Sequence, residues 1–357
     1  MSEIYSFHNA SFTIPFFHVL PFFYFCSEPK YRGFLLATIT LGLSFGILLC
    51  HIFGTFFHWR ALAVVAGIFP MFIIIILSQV PESPSWLLTQ HRIKDAEESF
   101  LWLRGPSADA AMELESLVKK HEMARKEDYA SNIESNSLAR LKINMKKPEF
   151  LKPLGISLFF FFVMQFSGVN SVAFYTVSLM KNISGPGMEY LSMILIDTVR
   201  VVAAFVACIL LKLCYRRTLM LISGIGTSIC MIAVSIFMYF DKMSPNNSNY
   251  SWCSMTFLIG YICFIHIGIF PLPWVLQGEM LQQVTRGFSS GLTTSFNFIC
   301  FFIVVKTFVE MSETLETFGV FMCYGSISLI GTIILFFILP ETRNKTLQQI
   351  EDSFSKQ

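Results

Sequence analysis

Eight long apolar runs, near residues 34–54, 59–80, 153–180, 190–211, 218–240, 252–278, 287–309 and 318–339, constrain this chain more than any other feature. Each is long enough to cross a hydrocarbon core of about 30 Å as a helix of about 20 residues. Inside a bilayer the backbone must satisfy its own polar groups, so such a run becomes a helix. The predicted fold class is therefore an all-α polytopic membrane protein. Composition agrees, since 54% of the 357 residues are hydrophobic and only 14% are charged. A shorter stretch before the first run, SFTIPFFHVLPFFYFC, is interrupted by Pro15 and Pro21. It has no basic start and no small-residue cleavage site, so it reads as a poor or truncated ninth span rather than a signal peptide.

Sidedness follows from Lys and Arg, because basic residues near span ends resist translocation. Twelve of the 26 lie between Arg92 and Lys152. If that segment is cytoplasmic, strict alternation leaves only Arg60, Lys181, Lys242 and Lys306 outside and Arg200 within a span. The C-terminus is then cytoplasmic too. The outer loops hold sequons at Asn182, Asn246 and Asn249, which become candidate glycosylation sites, while Asn344 stays bare inside.

Several function classes drop out. The nine Cys are scattered without a CxxC, and the seven His form no cluster, so neither metal nor cofactor is expected. There is no HExxH, nucleophile elbow, phosphate loop or pair of catalytic carboxylates, which argues against an enzyme. The basic residues track membrane sidedness rather than a patch, which argues against a nucleic-acid partner. The partners implied are the lipid bilayer and a small molecule that crosses it.

Residues 83–152 form the one sizeable polar segment. Ala96, Phe100 and Leu103, then Leu114, Leu117 and Val118, recur at helical spacing, which predicts short amphipathic helices along the cytoplasmic face. An internal repeat brackets the chain: Arg32-Gly33-Phe34 opens two spans that end at Pro81-Glu82-Ser83, and Arg286-Gly287-Phe288 opens two that end at Pro340-Glu341-Thr342. Each copy sets a basic residue before one span and an acid after the next, on one side, where they could pair. Two membrane halves of like plan are a transporter signature, with substrate held at the midplane between them.

SEPKYRG, PESPSWLL, WLRG, QFSGVNSVAFYTVS, YRRTL, PLPWVLQGE, TRGFSSGLTTSFNF, VVKTF and PETRNKTLQQIE occur in order between residues 26 and 354. Together they resemble the sugar porter family of the major facilitator superfamily, and within it the insect facilitated trehalose transporters. The resemblance implies two six-span bundles joined by a cytoplasmic helical loop. On that comparison 26–82 is a two-span remnant of the N-terminal bundle, 83–152 the loop, 153–339 a complete C-terminal bundle and 340–357 a cytoplasmic tail. Residues 1–25 do not resemble the family, and its acid seven residues before the first Arg-Gly falls on Phe25. The expectation is an N-terminally incomplete chain.

A sugar offers hydroxyls and flat apolar faces, so its site calls for amide side chains and a covering aromatic ring. Gln165 and Asn170 lie five apart, about 140° around a regular helix, where they either flank a cavity or hydrogen-bond between helices. Trp274 follows Pro271 and Pro273, which break a helix and free backbone groups beside a cavity or leave the ring to pack. The resemblance carries sugar contact onto Gln165, Asn170, Tyr175, Trp274 and Asn297. It puts Met164 where the family has a second Gln, and Phe270 where it has a small Gly near the substrate. It also carries a cytoplasmic gate network onto Arg32, Glu82, Arg216, Arg217, Glu279, Arg286 and Glu341, with Lys212 and Tyr215 departing from the usual acid and Gly.

Asp197 and Arg200 interrupt the run LIDTVRVVAAF. Standing at i and i+3, they can pair on one helix face, and that face must meet protein or water. The resemblance places Arg200 where relatives present Asn or Gln to substrate, so substrate preference is expected to have shifted, toward something smaller or anionic. His266, two turns before Trp274, either titrates near neutral pH or is a buried structural residue. Two functions remain open: facilitative hexose or trehalose transport by alternating access at the plasma membrane, or a non-transporting membrane protein such as a sensor, a regulatory isoform or the product of an incomplete gene model.

Overall fold

Helices follow the apolar runs in the computed structural model, which describes residues 29–106, 111–119, 122–123, 148–184, 187–243, 249–281, 285–343, 350 and 354. For 29–33, 77, 85, 89, 149, 182–184 and 249 the description is of backbone alone. The elements are α1 (Pro29–Phe56), α2 (Trp59–Leu77), α3 (Pro84–Thr89), α4 (Ile93–Arg104), α5 (Pro148–Phe166), α6 (Val169–Phe174), α7 (Thr176–Ser184), α8 (Glu189–Leu213), α9 (Arg216–Met243), α10 (Asn249–Ile267), α11 (Leu272–Met280) and α12 (Arg286–Ile338). Among the described residues there is no strand.

Among the described residues, seven helical stretches are long and apolar enough to cross a membrane, and the last of them runs for 53 residues. A straight helix of that length would reach about 80 Å, far beyond a bilayer. Instead α12 turns back at Glu316, where φ is 58° and ψ 165°. Ser171 Oγ then lies 3.3 Å from the Val304 carbonyl and 3.4 Å from the Tyr324 hydroxyl. A straight helix would hold those two residues about 30 Å apart. The stretch is therefore two helices folded back on each other, and among the described residues helices cover all eight apolar runs. Two of them are broken: the expected span 153–180 divides into α5, α6 and α7, and the expected span 252–278 into α10 and α11.

Packing ties α1 to the helices of residues 153–339. α1 lies along α8, and Leu36, Ala37 and Ile39 share an apolar cluster with Cys208, Leu211, Leu219 and Leu276. α2 contributes far less: Leu62 and Ala66 are buried, while Val64, Ile68, Met71, Phe72 and Ile74 are exposed. A helix apolar all round belongs against lipid or other spans. Gly224 lets α9 meet the second half of α12, since a Cβ there would stand 2.1 Å from Thr332 Oγ1. Small residues at such crossings let helices in a membrane approach closely.

The polar segment folds as its spacing predicts. Ala96 packs with Leu87 and Leu88, Phe100 with Leu114, and both groups rest on Leu117 and Val118 of the helical residues 111–119.

Candidate substrate-binding site

The break after α5 shapes the amide residues. Gly168 has φ +81°, and a Cβ there would stand 2.4 Å from the Tyr324 ring, so both backbone and space demand glycine. The carbonyl of Ser167, freed at the break, accepts the Tyr261 hydroxyl at 3.0 Å. Because the helix does not continue regularly, Asn170 is not turned away from Gln165. Asn170 Nδ2 donates to Gln165 Oε1 at 2.6 Å, and Gln165 Nε2 donates to Asn297 Oδ1 at 2.7 Å. Of the two arrangements open to the sequence, hydrogen bonding is the one realised, and it joins α6, α5 and α12. Each terminal amide uses one end of its side chain here, and an amide has donors and acceptors beyond that.

The second break sits beside the aromatic residues. α10 stops at Ile267 and α11 begins at Leu272, with Pro271 and Pro273 as the cause. Ser223 of α9 bridges the gap: its Oγ donates to the Phe264 carbonyl at 2.6 Å and accepts the Ile269 amide at 2.8 Å. Trp274, 5% exposed, meets Phe161 edge to face with ring centroids 4.8 Å apart. Phe161 is one turn before Gln165, so the indole stands over the same face of α5 as the amides. Gln277, three residues after Trp274, has its Nε2 within 3.1 Å of Ser290 Oγ, Thr293 Oγ1 and Thr294 Oγ1. It fastens α11 to α12, and its place in PLPWVLQGE was the available signal for it.

Tyr175 stacks on Phe308 at 4.7 Å and its hydroxyl donates to the Val305 carbonyl at 3.4 Å. Phe270 is buried, its ring 5.0 Å from that of His266. His266 Nδ1 donates to the Ile262 carbonyl at 3.0 Å, the bond of a satisfied core histidine. Phe270, Trp274, Tyr324 and Phe308 belong to one apolar cluster, with Tyr175 packed on it.

Arg200 and Asp197 pair as their spacing predicts, Nη1 to Oδ1 at 2.7 Å, and both are essentially fully buried. A third group joins them. The other carboxylate oxygen of Asp197 bonds His51 Nδ1, from α1. His51 was missed by sequence reasoning because no pattern links it to residue 197; an ionisable group in the run LLCHIFG was the signal.

At the far ends of the same helices, charges gather. Arg216 Nη2 donates to Glu279 Oε1 at 3.0 Å, and Thr342 Oγ1 to Glu279 Oε2 at 2.6 Å. Glu341 accepts the backbone amides of Arg216 and Arg217, each at 3.2 Å. Arg217 Nε donates to the Phe336 carbonyl at 2.9 Å, and Arg286 Nη2 to the Leu281 carbonyl at 2.9 Å. Tyr215 offers its ring to Arg343, whose Cζ lies 5.0 Å from the centroid. In the first repeat copy the Arg32 side chain lies outside the described residues, and Glu82 is exposed while its carbonyl accepts Ser99 Oγ. Asn246 and the side chains of Asn182 and Asn249 also lie outside them. Among the described residues, no three His, Cys, Asp or Glu side chains converge as metal ligands would.

Comparison with known proteins places this geometry. The family model for "Sugar (and other) transporter" matches residues 26–354. The facilitated trehalose transporter Tret1 of Polypedilum vanderplanki is 34% identical over 324 residues, covering 91% of this chain and 62% of that protein. Its counterpart from Apis mellifera ligustica is 32% identical over 330 residues, covering 92% and 63%. The chain thus spans a little under two thirds of the length of these relatives. Among solved structures, the proton:xylose symporter XylE bound to 6-bromo-6-deoxy-D-glucose superposes with a TM-score of 0.78 at 19% identity, over 97% of this chain and 71% of that one. The inward open conformation of XylE gives 0.62 at 18% identity, over 92% and 67%. Its residues from 26 to 354 decide the matter: the chain belongs to the sugar (and other) transporter family.

Proposed function

We propose that this chain carries a neutral sugar, a hexose or trehalose, across the plasma membrane by alternating access, without a chemical step. The observation that carries this reading is the chain of amides Asn170–Gln165–Asn297 beside Trp274. Amides serve hydroxyls as donors and acceptors alike, and an indole covers a sugar's apolar face. Placing three amides in a membrane interior is costly, so a linked set marks a polar path. The bundle of 153–339 supplies this site, and the two helices of 26–82 supply the wall against which it moves. Arg216, Arg217, Glu279 and Glu341, held together by one ion pair and by hydrogen bonds to backbone amides, form the gate at the cytoplasmic ends.

The test is uptake of labelled trehalose and glucose into proteoliposomes holding the full chain, with Asn297→Ala and Trp274→Ala alongside. Saturable uptake that falls about tenfold or more in each variant, as loss of a buried hydrogen bond or ring contact implies, supports the reading. Variants equal to the wild type would place the site elsewhere. No uptake by the wild type would overturn transport and leave a sensor or regulatory membrane protein.

A further inference from the structure

Arg200 is an almost fully buried guanidinium in the middle of α8, and its surroundings decide what it presents to a substrate. Its Nη1 donates to Asp197 Oδ1, while Asp197 Oδ2 is held by His51 of α1. The pair is therefore neutral as a unit. Among the described residues, the other titratable groups that act on it electrostatically are Cys50 on α1 and Tyr261 and His266 on α10. No second acid or permanent cation stands among them. Arg200 Nη2 has no hydrogen-bond partner among the described residues, although the side chain is only 1% exposed. Leaving a buried N–H without an acceptor is unfavourable, and a ligand hydroxyl would relieve it.

We propose that Asp197 is a specificity-determining residue and His51 a positioning residue: Asp197 cancels the Arg200 charge, and His51 holds the carboxylate on Nη1 so that Nη2 is left to donate to a neutral polyol. This rests on the sugar-site reading above and, of the two shifts the sequence left open for Arg200, toward something smaller or anionic, it argues against the anionic one. A bare guanidinium would favour a sugar acid, because a carboxylate about 5 Å away gains about a hundredfold in affinity at the effective dielectric of protein interiors. With Asp197 in place that gain is withheld, and a sugar acid meets a like charge instead. His51 matters through geometry. Without it the carboxylate can rotate onto both Nη1 and Nη2, the bidentate arrangement that Arg and Asp otherwise prefer.

The experiment measures binding by ligand-induced thermal stabilisation of the purified full chain, using glucose and glucuronate as probes. Wild type is expected to bind glucose at least about tenfold tighter than glucuronate. Asp197→Asn, which keeps an acceptor for Nη1 and removes the charge, should move the glucuronate-to-glucose affinity ratio up by at least about tenfold. Adding Arg200→Gln to it should bring the ratio back down. His51→Leu should weaken glucose binding severalfold without raising that ratio, and His51→Gln, which retains an N–H donor, should restore part of the loss. An unchanged ratio in a folded Asp197→Asn protein overturns the role of Asp197. Equal behaviour of His51→Leu and His51→Gln overturns that of His51. If Asp197→Asn does not fold, a glucuronate preference in wild type is enough to overturn the proposal. A wild type that binds neither probe overturns the sugar reading itself, and this proposal with it.

Discussion

Arg216 and Glu279 meet at 3.0 Å with side-chain exposures of 7% and 11%, tying the start of α9 to the end of α11. Thr342 holds the second oxygen of the same carboxylate, so three separate segments close on one group. A nearly buried pair of this kind differs from a surface ion pair: removing one member strands the other's charge. Glu279→Gln should therefore shift the protein toward the state with that end open, by about tenfold or more. The measurement is modification of a cysteine introduced at that end, and Arg216→Gln should act the same way. A double variant no stronger than either single one would show that both act through this contact.

Gly168→Ala combines a positive φ with a Cβ 2.4 Å from the Tyr324 ring. The expected cost is more than about 2 kcal/mol, seen as a fall in Tm of about 5 °C or more in detergent. Gly155→Ala, in the same span with nothing within 4 Å of the added carbon, should leave Tm nearly unchanged.

Ser223→Ala leaves the Ile269 amide and the Phe264 carbonyl without the hydroxyl that joins them. In a membrane interior that should cost about 1–3 kcal/mol. Because the break orients Trp274, the variant should also weaken sugar binding more than a substitution of equal thermal cost at the lipid-facing Ile229. Equal binding in the two would separate the break from the site.

α9 runs 28 residues from Arg216 to Met243, about 42 Å, so the end bearing Lys242 and its partner Glu316 is opposite the gate. If the gate is cytoplasmic, the loop holding Asn246 and Asn249 is outside. Deglycosylation of protein from insect cells should then sharpen and lower the gel band, and Asn246→Gln with Asn249→Gln should abolish the shift. A shift lost only with Asn344→Gln would invert the topology.

Much of this architecture is legible in the sequence because it depends on local chemistry. The runs gave spans to within a few residues, as at α8 and α9, since a bilayer admits little besides helices. Pro271 and Pro273 announced a break that the structure has. Spacing of three announced the Asp197–Arg200 pair, since i and i+3 share a helix face whatever surrounds them. The angular argument for Gln165 and Asn170 did not carry over, because one left-handed residue, Gly168, resets the helical phase between them.

What the sequence determined by itself is a polytopic helical membrane protein of the sugar transporter family, with the break at Pro271 and Pro273 and the Asp197–Arg200 pair in place. Only the tertiary structure decided that Gln165 meets Asn297 and that Asp197 meets His51. Helical periodicity fixes which face a residue shares with its neighbours a turn away. It carries no information about which face of which other helix will lie against it, and that choice belongs to the packing of the whole bundle.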